Sequence, residues 1–171
     1  RPTLVSAAIE RVSYLGFALP PLVLGLALVF LGLGAVPFLY GTLAMLVLGY
    51  CVRFLPQALG STESALRQVP AHLEEAAATL GAGRLRTFRR ILLPLVRPGV
   101  LAGAALVLLS AIKELPMTLL LAPLGYTTLA TGVWSAAAEG RFGDAALPAL
   151  ALVGLSCASV AFVLGREEAP A

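Results

Sequence analysis

The sequence has few charged side chains, one histidine and two cysteines, and each shortage excludes a class of protein. Charged residues make up 12% of the chain, about half the fraction that is usual in a soluble domain. Cys51 and Cys157 lie in different apolar segments, so free buried thiols are expected, and His72 alone does not make a metal site. The phosphate-binding pattern G-x-x-x-x-G-K-S/T is absent. We therefore predict that this chain binds no cofactor and does not hold ATP in the usual way.

What the sequence does contain is apolar: 59% of its residues are hydrophobic and its mean hydropathy is +0.93. Residues 12–52 carry no formal charge, a run that is too long for one transmembrane helix and suits two of about 20 residues each. The Pro20–Pro21 pair must interrupt the first of them. The sequence predicts an all-α transmembrane helix bundle, with residues 1–171 forming part of one domain. Its four spans are predicted at residues 15–33, 38–55, 95–120 and 145–165.

A polar interval, residues 57–94, separates the second and third predicted spans. Pro70 suits the first turn of a helix, and the residues after it are good helix formers. Gly81 can end that helix in the left-handed conformation, which a glycine adopts without a Cβ clash. A second short helix is predicted over residues 84–92, with Pro94 at its end. The interval is thus predicted to form a helix–turn–helix outside the bilayer.

On the first of these helices, small and apolar side chains recur at positions i, i+3, i+4 and i+7 and form a narrow stripe. The stripe consists of Leu73, Ala76, Ala77 and Leu80. Glu74 and Glu75 flank it. Such a stripe fits a groove on a partner protein, and it fits equally well against another part of the same chain. Periodicity alone leaves both alternatives open.

The spacing of these residues resembles the EAA motif of permease subunits in binding-protein-dependent ABC transporters. The matching positions are Glu75, Ala76, Ala77, Gly81, Ile91, Leu93 and Pro94. The resemblance implies that they dock onto a separate ATP-binding-cassette ATPase subunit, where ATP is bound and hydrolysed. It also implies a periplasmic substrate-binding protein, a second permease half or subunit, and a multi-pass location in the inner membrane. The chain begins with Arg1, and we expect it to be the C-terminal part of a longer permease.

Basic residues predict the orientation in the lipid bilayer. If residues 57–94 are cytoplasmic, ten arginines lie inside and only Arg141 lies outside, as the positive-inside rule requires. The inside group is Arg1, Arg11, Arg53, Arg67, Arg84, Arg86, Arg89, Arg90, Arg97 and Arg166. Residues 122–144 then form an external loop, with a short helix over about 129–138. The net charge of +3 reflects this topology, and no nucleic-acid partner is expected.

Lys113, Glu114 and Pro116 interrupt the third predicted span. Charges at membrane depth cost several kcal/mol unless they face water or a partner. We therefore predict that Lys113 or Glu114 faces a neighbouring helix or the translocation path. The alternative is that both side chains extend to the external lipid headgroups.

The same region is similar to ferric-iron permeases. The shared patterns are Lys-Glu-Leu-Pro at 113–116, Thr-Leu-Leu-Leu at 118–121, Gly-aromatic-x-Thr-Leu-Ala at 125–130 and Ala-Ala-x-x-Ala at 145–149. Ala122 stands before Pro123 where an arginine is expected. The resemblance implies import of ferric iron by alternating access. An external binding protein would select the iron, because no cluster of carboxylate, Tyr or His ligands is evident. Permeases of this type also import thiamine, polyamines or inorganic anions.

Two other classes of protein share part of the pattern. A secondary transporter also has proline-broken spans and intramembrane charges, but it needs no docking loop for an ATPase. An intramembrane hydrolase needs a nucleophile and a base within its spans, and no predicted span contains histidine. Transport driven by an ion gradient, without a partner ATPase, would favour the first of these classes.

Overall fold

The computed structural model describes residues 13–14, 16–70 and 72–167. Within these ranges we number eight α-helices and one π-helical turn, and there is no strand. The helices are α1 (Pro21–Ala35), α2 (Leu43–Arg67), α3 (His72–Thr79), α4 (Arg84–Thr87), α5 (Leu93–Ile112), α6 (Pro116–Leu121), α7 (Leu129–Ala138) and α8 (Phe142–Glu167). The π-helical turn, Phe88–Leu92, joins α4 to α5. The predicted all-α helix bundle is confirmed.

The Pro20–Pro21 pair breaks the chain before α1. Residues 16–18 are helical, Leu19 and Pro20 are not, and Pro21 begins α1. Proline is tolerated at a helix start because the N–H that it lacks would have no helical partner there. The predicted interruption of the first span is therefore present, and the helix after it has 15 residues.

The second helix differs from the predicted span 38–55 at both ends. Residues 36–42 lie outside the helices, mostly in turns, and α2 begins at Leu43. The helix then continues through Pro56 to Arg67. The helix therefore extends 12 residues beyond the predicted end of the span at residue 55 and includes the first part of the polar interval. An internal proline removes one hydrogen bond, but the helix on both sides of it packs against its neighbours and persists.

The helix that follows the polar loop is also longer than predicted. The prediction that Pro94 ends a short helix is wrong, since Arg84–Ile112 is one continuous helical run. The N–H of Leu93 donates to the carbonyl of Phe88, five residues earlier, so the helix widens just before Pro94. A π-helical turn of this kind rearranges the backbone hydrogen bonds around Pro94, which has no N–H, and the helix therefore continues through the proline.

The third predicted span, 95–120, is not a single helix. Helix α5 ends at Ile112, residues 113–115 are not helical, and Pro116 begins α6. Pro116 again occupies a position where its missing N–H costs little. The structure therefore has a second break, at the charged residues of this segment.

Helices α2 and α5 pack closely through small residues. A Cβ built on Gly99 would lie 2.3 Å from the Cβ of Ala65, and one built on Gly103 would lie 2.5 Å from the Cβ of Ser61. Residue numbers fall along α2 as they rise along α5, so the two helices are antiparallel. Small residues permit this close approach between helices in membrane proteins.

The last two helices agree better with their predicted bounds. Helix α7 covers the predicted short helix at 129–138, and the hydroxyl groups of Thr128 and Thr131 form a capping box at its start. Helix α8 begins at Phe142, three residues before the predicted fourth span. Arg141 bonds to Glu139 and Asp144 in the turn between the two helices.

A small apolar core joins α1, α2 and α6. Its members are Leu24, Leu28, Met45, Leu46, Met117 and Leu121. Elsewhere, large apolar side chains point outwards; Phe30 is 74% exposed and Leu147 is 77% exposed. Among the described residues, three helices are long and apolar enough to cross a membrane, namely Leu43–Arg67, Arg84–Ile112 and Phe142–Ala161. Lipid tails are as apolar as these side chains and can cover them without cost.

Candidate functional site

The turn after α3 has the geometry that the sequence predicts. Gly81 has φ of +74°. Its N–H donates to the carbonyl of Ala78 at 3.0 Å, and the N–H of Ala82 donates to the carbonyl of Ala77 at 2.9 Å. This pair of bonds is the Schellman motif, which ends a helix at a left-handed residue. Gly81 therefore sets the direction in which the chain leaves α3.

The small-residue stripe on α3 is divided between the interior and the surface. Ala77 is buried, with 4% of its surface exposed, whereas Leu80 is 87% exposed. Glu75 and Ala76 are also exposed, and Leu73 is half-buried. Part of the stripe thus packs against the same chain, and part is free to contact a partner protein. Glu75, Ala76 and Leu80 remain open to a partner.

The other matched positions lie on a different element. Ile91 belongs to the π-helical turn and is half-buried, while Leu93 and Pro94 begin α5 and are exposed. The seven positions therefore form no single cluster in this structure. They mark the two ends of a polar connection: a short helix with its turn, and the first residues of a long apolar helix.

An open groove of about 900 Å³ lies beside the turn. It is lined by Gly81, Gly83, Arg84, Leu85, Arg86, Arg89 and Arg90. Four of these residues are arginines, and they give the groove a positive potential. Leu85 is 70% exposed and provides apolar surface at the same place. The groove and the exposed part of α3 together offer charge and apolar contact to a partner.

The break between α5 and α6 separates its two charges. Lys113 is exposed, whereas Glu114 is buried, with 9% of its surface exposed. Oε1 of Glu114 accepts a hydrogen bond from the N–H of Met117, 3.4 Å away, at the start of α6. Glu114 faces α2, and Lys113 does not share its buried surroundings.

Arg53, on α2, supplies the positive charge beside Glu114. Its Nε lies 3.9 Å from Oε2 of Glu114, and the Arg53 side chain is 16% exposed. Arg53 therefore lies within α2 and packs against other segments, away from the ends of its helix. Its assignment to the cytoplasmic side stays a prediction, and the other nine arginines assigned to that side are sufficient for the predicted orientation.

The guanidinium of Arg53 also reaches the break before α1. Nη1 donates to the carbonyl of Leu19 at 3.1 Å and to that of Gly16 at 3.5 Å, and the group lies 5.7 Å from the centre of the Phe17 ring. In a continuous helix the Gly16 carbonyl would bond to the N–H of residue 20, which is a proline. One arginine therefore satisfies carbonyls that the proline pair leaves free.

A hydroxyl pair lies next to this arginine. Tyr50 on α2 is hydrogen-bonded to Thr118 on α6, and the Thr118 hydroxyl lies 2.7 Å from the carbonyl of Glu114, to which it donates. Thr118 has one proton to donate, so Tyr50 is the donor in the other bond. We name Tyr50, Arg53, Glu114 and Thr118 the polar cluster. It links α2 to the break between α5 and α6.

Among the cavities that the described residues line, two lie near the polar cluster: Phe17 lines the first and has its ring near Arg53, and Tyr50 lines the second. The first, of about 370 Å³, has Tyr14, Phe17, Gln57 and Ser110 in its wall. The second, of about 350 Å³, is lined in part by Tyr50, Tyr126, Thr127 and Thr128. Along α2, Arg53 lies between the residues that line the two cavities. Sequence reasoning missed the second cavity, because its two tyrosines are far apart in the chain.

Metal ligands are sparse in the part of the chain that the structure describes. No group of three or more His, Cys, Asp or Glu side chains there could hold a metal ion. Cys51 and Cys157 are exposed on the surface of the bundle, so the expectation that their thiols are buried is wrong. Both lie on helices that are long and apolar enough to cross a membrane.

Three curated proteins that are similar in sequence to this chain are named for the solutes that they transport. An Fe(3+)-transport system permease protein of Haemophilus influenzae is 35% identical over 145 residues, which are 85% of this chain and 29% of the relative. A molybdenum transport system permease protein of Azotobacter vinelandii is 32% identical over 131 residues, 68% of this chain and 57% of the relative. A Salmonella typhimurium permease protein named for 2-aminoethylphosphonate transport is 27% identical over 148 residues, 86% and 56% of the two chains.

The chain thus spans between 29% and 57% of the length of these relatives. The family described as "Binding-protein-dependent transport system inner membrane component" matches residues 1–166. The long apolar helices and their outward-facing side chains agree with a multi-pass protein of the inner membrane. The chain belongs to this family, the permease subunits of binding-protein-dependent ABC transporters.

Proposed function

We propose that this chain forms part of a permease that imports ferric iron by alternating access. The choice of ferric iron as the substrate is supported by the 35% identity with the Haemophilus influenzae Fe(3+) permease protein, over a stretch that covers most of the chain. The Lys-Glu-Leu-Pro pattern at residues 113–116 lies at the break beside the polar cluster. Iron would reach the permease on a periplasmic binding protein, and a second permease half or subunit would complete the path.

The translocation path is proposed to pass the polar cluster. Glu114 is a buried charge at a helix break, and cavities adjoin the cluster on both sides of Arg53 along α2. Intramembrane charges of this kind are costly and commonly mark a solute path. Lys113 is exposed and Pro116 begins α6, so they are proposed to shape the break that presents Glu114.

The ATPase subunit is proposed to dock on the polar connection between α2 and α5. Glu75, Ala76 and Leu80 would enter its cleft, and the arginines of the adjoining groove would face its acidic side chains. Closure of the ATPase subunits on ATP would move α3 and, through the continuous helix from residue 84, tilt α5. ATP would bind only at the partner, and this chain would bind no cofactor.

A second substrate class is an oxyanion. The cavity beside Tyr50 is also lined by Tyr126 and Thr127, whose hydroxyl groups can donate hydrogen bonds to an anion. Relatives named for molybdenum and 2-aminoethylphosphonate transport match the same part of the chain. The departure at Ala122 from the ferric-iron pattern also leaves room for this alternative.

Deletion of the complete transporter is expected to abolish high-affinity uptake of ferric iron. The measurement compares uptake of labelled iron, molybdate and 2-aminoethylphosphonate by the deletion strain and its parent. The binding protein of the same system, purified alone, serves as the control for selection of the solute. Iron uptake that is intact while uptake of an oxyanion is lost would contradict the iron assignment and leave the permease family untouched.

Glu114→Ala is expected to reduce uptake by about tenfold or more, because it removes a buried carboxylate beside the proposed path and leaves Arg53 without its counter-charge. The membrane level of the protein and its association with the ATPase subunit should fall much less. Glu63→Ala is the matched control, since it removes a more exposed carboxylate on α2. Equal uptake by the Glu114 variant and the parent protein would remove Glu114 from the path.

A further inference from the structure

We propose that Arg53 is a positioning residue that exchanges partners between two helix breaks during transport. The proposal rests on the alternating-access function proposed above and adds a residue that the matched motifs do not include. Arg53 lies on α2, and its side chain meets both the segment before α1 and the break between α5 and α6. It is the point at which these two interruptions of the helical structure come together.

The geometry of the guanidinium is the first observation. Nη1 is bonded to the carbonyl of Leu19, whereas Nε is buried and has no acceptor among the described residues. The nearest carboxylate oxygen, on Glu114, is 3.9 Å from Nε. A charge-assisted N–H···O bond has a length of about 2.7 to 2.9 Å, so a movement of about 1 Å would form one. The arrangement described here therefore leaves Arg53 short of one bond that is within reach.

The positions of its partners are the second observation. The carbonyls of Gly16 and Leu19 lie at the interruption before α1 and accept from Arg53, and Glu114 lies just before the helix that Pro116 begins. Breaks of this kind absorb changes in backbone direction at little cost in hydrogen bonds. When one break moves relative to α2, Arg53 can release a carbonyl and close on Glu114. The same side chain thus holds one break in each state.

Double substitution tests whether Arg53 and Glu114 act as a pair in the complete transporter, with its ATPase subunit and binding protein. Arg53→Gln and Glu114→Gln are each expected to lower uptake about tenfold. Uptake by the double variant should be no lower than that of the less active single variant, because the effects of substituting two residues that act together are not additive. The matched control is the exposed pair Arg67 and Glu63 on the same helix, where both substitutions should change uptake less than about twofold. Reductions that multiply in the Arg53 and Glu114 double variant would overturn the exchange.

A charge-conserving variant separates positioning from simple charge. Arg53→Lys keeps the positive charge but has one ammonium in place of a planar fork of donors, so it cannot keep one nitrogen at the Leu19 carbonyl while another approaches Glu114. Its uptake should be as low as that of Arg53→Gln, with the ATPase subunit still bound. Full uptake by the lysine variant would show that charge alone is needed and would overturn the proposal.

Cysteine accessibility provides a readout that a purely structural role would not move. Single cysteines at Gln57 and Thr127 probe the two cavities in a protein whose Cys51 and Cys157 are replaced. Their labelling rates should change when a non-hydrolysable ATP analogue binds the ATPase subunit, and in the Arg53→Gln background they should not. If the labelling rates still change with the ATP analogue in the Arg53→Gln background, the proposed exchange of partners by Arg53 is wrong, while alternating access is unaffected. No response in the parent protein would overturn alternating access, and the exchange with it.

Discussion

Gly103→Leu is expected to prevent normal assembly of the bundle and to reduce the folded protein in the membrane by about tenfold or more. A Cβ at this position would lie 2.5 Å from the Cβ of Ser61 and 2.9 Å from its Oγ, on the facing helix. Overpacking of a close interface costs about 1–3 kcal/mol, and more where the obstacle lies near the backbone. Helices α2 and α5 would have to separate along their length, since Gly99 meets Ala65 one turn away.

The matched control is Gly154→Leu, on α8, because a Cβ at Gly154 would meet no atom within 4 Å. Both variants add the same apolar side chain to the middle of a long helix. The measurements are the amount of protein in the membrane fraction, its resistance to protease and its association with the ATPase subunit. Normal folding of Gly103→Leu would mean that α2 and α5 are not in close contact in the assembled transporter.

Features that depend on a few adjacent residues could be predicted from the sequence. The break at Pro20–Pro21 follows from two missing backbone donors, and the left-handed turn at Gly81 follows from the absence of a Cβ. Each of these features is decided by local chemistry, so knowledge of the facing helix was not required.

The ends of the helices could not be predicted in the same way. Pro56 and Pro94 are residues at which a helix is expected to end. However, α2 continues through Pro56, and a π-helical turn allows the helix to continue through Pro94. A proline removes a single hydrogen bond, and packing of the surrounding helix decides whether that loss ends it. The predicted spans therefore stopped too early at Leu55 and assigned α5 too little of the polar interval.

The same error concealed Arg53. With α2 assumed to end near it, Arg53 counted as one more cytoplasmic arginine and its pairing with Glu114 had no place in the argument. The signal that could have found it was the buried carboxylate itself, since an intramembrane Glu114 requires a cation on a neighbouring helix. Finding that cation required helix bounds, and these depend on contacts between residues far apart in the chain.

Gly81→Val is expected to lower uptake by about tenfold or more while the spans stay folded. Gly81 has φ of +74°, a conformation that costs a residue with a Cβ about 1–2 kcal/mol and a β-branched residue more. A Cβ at Gly81 would meet no atom within 4 Å, so the effect would come from the backbone alone. Loss of the Schellman turn would misdirect α4 relative to α3, and the two halves of the proposed ATPase-docking surface would no longer fit one partner.

Two substitutions isolate the backbone cause of this effect. Gly83→Val adds the same side chain two residues away, where φ is −66° and there is also open space, so it should leave the turn and the direction of α4 unchanged. Gly81→Asn should recover much of the uptake, because asparagine tolerates the left-handed conformation. Glu75→Ala, on the exposed side of α3, should mimic Gly81→Val by weakening the ATPase subunit's association without altering the turn. If Gly81→Val and Glu75→Ala both keep full uptake and a full complement of ATPase subunit, this loop does not couple ATP hydrolysis to transport.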